Sequence, residues 1–74
     1  MTSADKKAVV ADFLERCNRY AEGQLATYRQ DLETADATAA LGIQDKIGHW
    51  TAYRNFNEHA LAEIGRGELD DWFA

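Results

Sequence analysis

The chain has 74 residues, 8 of them basic and 13 acidic, for a net charge of −5, and Cys17 is its single cysteine. That length holds one domain burying about 60% of its unfolded surface, too little to enclose a deep substrate pocket comfortably. Scattered Lys and Arg argue against a face for nucleic acid or an anionic membrane. No run nears the ~18 apolar residues of a spanning helix, no signal peptide is evident and a lone thiol makes no internal disulfide, so a cytoplasmic protein is expected.

There is no proline, and 13 residues are alanine. Leu, Ile, Val and Phe together number 14, close to the ~20% below which chains stay disordered. The eight aromatics favour folding, with help from a partner subunit. Good helix formers dominate and no period-2 stretch occurs, so the expected fold is all-α.

Helix 1 is expected over about 3–32. Ser3 is a candidate N-cap, and Asp5 suits the positive end of the helix dipole. Val10, Phe13, Leu14, Cys17, Ala21, Leu25, Tyr28 and Leu32 recur at steps of three and four, forming one apolar stripe about 120° wide. Gly23 falls on the opposite face.

Residues 33–42, ETADATAALG, are small and polar and end in the breaker Gly42, so they are expected to connect two helices, with room for one helical turn from Asp36. Helix 2 then runs over about 43–64. Ile43, Ile47, Trp50, Leu61 and Ile64 form its stripe, and Tyr53, Phe56 and Ala60 widen one flank. Gly65 and Gly67 supply the left-handed conformation that ends helices. Residues 68–73 place Leu69, Trp72 and Phe73 on one short amphipathic turn. The expected architecture over 1–74 is therefore an antiparallel helical hairpin with a C-terminal turn. Its stripes are wider than one partner helix covers, so a homodimer is expected to close a four-helix bundle around Val10, Phe13, Leu14, Ile47, Trp50 and Leu61.

Few residues carry chemistry. His49 lies at the edge of the apolar face, with Asp45 one turn earlier to orient its imidazole, so His49 is the candidate ligand if any metal binds, and Asp45 its supporting carboxylate. His59 and Glu63 make a solvated pair. The two histidines are about 80° apart around the helix and about 15 Å apart along it, so they do not share an ion. HExxH, P-loop, GxGxxG and paired-cysteine motifs are absent. Cys17 in an apolar setting is inert. No cofactor and no catalytic residue are expected. Tyr20, Gln24, Arg54 and Asn57 project toward one level of the hairpin; they read as a ligand-binding cluster or as a hydrogen-bonded layer that sets register.

The stretch from Gly42 through Asp45, His49 and Trp50 to Tyr53, with Asn57–Leu61 and Gly67-Glu68, resembles the second helix of the DinB-like superfamily, the ClbS/DfsB-type four-helix proteins. That resemblance implies a half-domain in which His49 matches one of three metal ligands, the other two coming from a later helix. Tyr53–Ile64 is more faintly similar to the last helix of Hha/YmoA-like nucleoid modulators. Three functions follow as expectations. The first is a self-associating interaction or scaffold module without catalysis. The second is a DinB-like half-domain whose dimer binds a metal or small molecule. The third is an acidic regulatory partner, of immunity or antitoxin type, meeting a basic protein through Glu58, Glu63, Glu68, Asp70 and Asp71.

Overall fold

A computed structural model describes all 74 residues as two long helices and a short tail: α1 (Ser3–Leu32), α2 (Ala37–Gly65) and a 3-10 turn (Asp70–Phe73). The helices pack antiparallel into a rod of 52 × 16 × 14 Å. Its radius of gyration is 16.3 Å, against about 11 Å for a compact chain of this length. Its accessible surface of 5261 Å² exceeds the roughly 4,600 Å² expected of a compact monomer.

Local chemistry sets each boundary. The N-cap of α1 is Thr2 rather than Ser3. Its Oγ1 accepts from the Asp5 amide and the Asp5 carboxylate accepts from the Thr2 amide, both at 3.1 Å, so two orphan donors are satisfied reciprocally. At the other end, amides 33 to 35 bond three residues back, tightening the last turn. Asp36 then turns extended and its Oδ1 accepts from the Ala39 amide at 2.8 Å. The connection is therefore residues 33–36, not 33–42, and α2 begins six residues before the expected Ile43. Gly42 lies inside the helix instead of breaking it. An interior glycine costs up to about 1 kcal/mol, and the Asp36 cap and the run of helix-forming alanines offset that.

The end of α2 closes on Gly67 alone; Gly65, also expected to take the left-handed conformation, is instead the last helical residue. Gly67 adopts φ 79°, the Gly67 amide bonds the Ile64 carbonyl and the Glu68 amide bonds the Glu63 carbonyl. That pair is a complete Schellman closure. The tail then turns back to α1, where Lys7 Nζ donates to Asp70 Oδ1 at 2.6 Å.

The helices meet along an unbroken heptad seam. On α1 it runs Lys7, Ala11, Leu14, Asn18, Ala21, Leu25, Tyr28, Leu32; on α2 it runs Ala40, Ile43, Ile47, Trp50, Arg54, Asn57, Leu61, Ile64. Steps of four and three alternate along both, and all sixteen residues are buried or half-buried. The α1 stripe expected from hydrophobicity is thus displaced in its first half. Val10 and Phe13 lie outside the seam, and Lys7, Ala11 and Asn18 lie within it. Ala21, Leu25, Asn57 and Ile64 are the most deeply buried residues. Of the residues expected in a dimer core, Leu14, Ile47, Trp50 and Leu61 are half-buried in the seam, while Val10 and Phe13 are exposed beside it.

Candidate functional site

The seam divides the hairpin's surface into two flanks. A residue beside the seam on α1 faces its counterpart on α2, so each flank combines one stripe from each helix. The first α1 stripe is Val10, Phe13, Cys17, Tyr20, Gln24 and Thr27, joined on α2 by His49, Tyr53, Phe56 and Ala60. None of these carries a charge at pH 7 when His49 is neutral. The opposite flank of α1 carries Asp5, Asp12, Glu15, Arg19, Glu22 and Arg29. The contrast belongs to α1: on α2 the matching stripe, Gln44, Gly48, Thr51, Asn55, Glu58 and Ala62, carries a single charge.

The uncharged flank exposes aromatic surface. Phe13 is 63% exposed, Tyr20 60%, Tyr53 38% and Phe56 68%. At about 200 Å² per aromatic side chain, these four present about 450 Å² of ring. The rings are ordered edge-on around Trp50, with Tyr20 at 5.6 Å, Tyr53 at 5.5 Å and His49 at 5.9 Å between centroids. Cys17 beside Tyr53, with burial second, raises the Tyr53 phenol above its ordinary pKa and keeps it neutral. At the tail end, a shallow groove lined by Phe56, His59, Ala60, Glu63, Leu69 and Trp72 extends the surface, and Trp72 is 78% exposed.

The expected polar cluster does not gather. Tyr20 lies on the uncharged flank against Trp50, and Gln24 is half-buried beside the seam. Arg54 sits in the seam but turns its head to the charged flank. It bonds Glu22 at 3.4 Å and the Asn55 side-chain carbonyl at 3.5 Å, with Glu58 at 3.9 Å. The stem fills the seam, the two terminal nitrogens reach Glu22 and Asn55, and the Nε is buried without a hydrogen bond. Asn57 is buried at 2% exposure; its Nδ2 makes no well-formed hydrogen bond, though the side chain lies near enough to the Tyr53 phenol to oppose the larger effect of Cys17 on it. Asn18 Oδ1, which hydrophobic periodicity does not pick out, is also a buried orphan, so with Arg54 Nε the seam holds three. Only the matched four-three spacing of the two helices could have flagged it.

No hydrogen bond joins Asp45 to His49. His59 Nε2 lies 3.9 Å from Glu63 on the surface, and no three His, Cys, Asp or Glu side chains converge as a metal site. Neither helix is long and apolar enough to cross a membrane. No protein-family model, curated protein or solved structure matches the chain.

Proposed function

We propose that the chain is a self-associating interaction module, a scaffold without catalysis of its own, whose hairpin pairs with a second copy to form a four-helix bundle. The observation that carries this reading is the continuous uncharged flank with Phe13, Tyr20, Tyr53 and Phe56 exposed on it. A patch of about 450 Å² of aromatic surface already matches the largest patch of a typical monomer. Trp72, Val10 and Ala60 carry it to roughly 700 Å², within the 600–1,000 Å² per partner that stable interfaces bury. The charged flank, by contrast, spends part of its charge within the chain, as in Glu22–Arg54, which favours self-association over the acidic-partner reading.

Light scattering with a Phe56→Arg variant tests the proposal. Phe56 is already exposed, so the substitution spares the hairpin. The wild type should scatter as twice 8.3 kDa, and the variant as a monomer with unchanged helical circular dichroism. A wild type that stays monomeric at high micromolar concentration overturns the reading.

A further inference from the structure

We infer that the second copy docks antiparallel, with α1 lying on the partner's α1, α2 on its α2, and the two connections at opposite ends of the bundle. The inference rests on the self-association proposed above and specifies its geometry. On α1 the uncharged stripe is closed by Lys6 at one end and Asp31 at the other; on α2 it is closed by Lys46 and Glu63. In each helix the two opposite charges are symmetric about one level. That level is between residues 18 and 19 in α1 and between 54 and 55 in α2. The contacts Tyr20–Trp50, Glu22–Arg54 and Tyr28–Lys46 show that these two levels lie side by side in the hairpin.

One two-fold axis through that common level, perpendicular to the helices, therefore satisfies both helices at once. It brings Lys6 opposite the second copy's Asp31 and Lys46 opposite its Glu63. It sets Tyr20 against Cys17, a large side chain facing a small one. The alternative axis, along the bundle, lays α1 on the partner's α2 with both connections at one end. That arrangement stacks Asp31, Glu33 and Asp36 of two copies that each carry −5. It sets Lys6 and Asp31 each about one helical turn out of level with the second copy's Glu63 and Lys46, a looser charge match than the antiparallel one.

Charge exchange reads this geometry directly. Within one chain Lys6 and Asp31 are about 38 Å apart along α1 and do not touch. Lys6→Glu and Asp31→Lys each match the helix dipole better than the native residue, so neither weakens the hairpin. Each single variant should raise the dimer dissociation constant roughly five- to thirty-fold, since the contact occurs twice per dimer. The double variant should restore it. The native Cys17 supplies a second readout. Antiparallel docking brings the two thiols close to the axis, within reach of a short bismaleimide matched to the about 8–10 Å between packed helices. Docking along the other axis sets them about 14 Å apart, on the bundle diagonal. Covalent dimer in the wild type and rescue in the double variant are expected. A dimer whose double variant is weaker than either single one, or whose thiols do not cross-link, overturns the antiparallel geometry and leaves self-association standing. A monomer by light scattering overturns both.

Discussion

Replacing Asn57 by Leu should stabilise the hairpin. Asn57 is 2% exposed and its Nδ2 is unpartnered, and Asn18 Oδ1 is orphaned in the opposing helix. An unsatisfied buried amide costs about 1–3 kcal/mol. Leu has the branching and heavy-atom count of Asn but bulkier ends, so it opens no cavity and the half-buried seam around it must give slightly. A net gain of about 1–2 kcal/mol is expected, which raises Tm by about 5–10 °C in a domain of this size. Thermal melts of Asn57→Leu, Asn18→Leu and the double variant complete a cycle. If both amides are orphans, the two gains add within about 0.5 kcal/mol. A fall in Tm for either single variant, with coupling above about 1 kcal/mol, would show that the two asparagines bond each other, and the reasoning fails. Any gain should come with looser helix register, since a polar layer penalises slipped pairings that an all-apolar seam tolerates.

Leu25 is the largest fully buried side chain, so Leu25→Ala should cost about 3–5 kcal/mol and leave little folded protein in a urea melt. Gly67→Ala forces an L residue to φ 79° and sets a Cβ 3.0 Å from Asp70 Oδ2. Amide exchange in residues 68–73 should quicken while α1 and α2 stay protected. Arg66 bonds Glu68 at 3.1 Å and holds its carboxyl below the ordinary carboxylate range. The folded pKa is the depressed one, so this contact supports the tail above the ordinary carboxylate pKa and is lost as pH falls through the lowered value. Glu68→Gln should remove that acid-side change from an NMR titration of the tail amides.

Much of the fold was legible in the residues. The steps of three and four bounded α1 correctly, and Gly67 announced the end of α2 through its αL position. The start of α2 was hidden because Gly42 was weighed as a breaker against a background of small residues. The deciding signal was Asp36, whose carboxylate caps the amide three residues on. The α1 seam was hidden for a different reason. Two stripes compete on that helix, and the bulkier one, Val10, Phe13, Cys17 and Tyr20, is not the one that faces α2. Hydrophobicity ranks the stripes in the wrong order. Unbroken spacing over eight positions, matched by eight on α2, ranks them correctly. The aromatic flank was legible on α2, where Tyr53, Phe56 and Ala60 widen the stripe. On α1 it was read as core.

That inversion of bulk has an energetic consequence. Six of the seam's sixteen positions, Lys7, Ala11, Asn18, Ala21, Arg54 and Asn57, bury little apolar surface, while Phe13, Tyr20, Tyr53 and Phe56 stay exposed on the flank. Burial stabilises at about 25 cal/mol per Å², so roughly 700 Å² per copy on the flank is comparable to what the seam's aliphatic residues supply. With the proposed pairing, association adds stability by linkage to a hairpin that its own seam folds. Each tenfold rise in concentration should contribute about 1.4 kcal/mol per dimer, and Tm should climb with it. Phe56→Arg severs the linkage at the flank without touching the seam, so its melt should be both lower and independent of concentration. A wild-type melt that superimposes across a hundredfold range of concentration (about 2.7 kcal/mol of expected stabilisation) would show that the seam alone holds the hairpin.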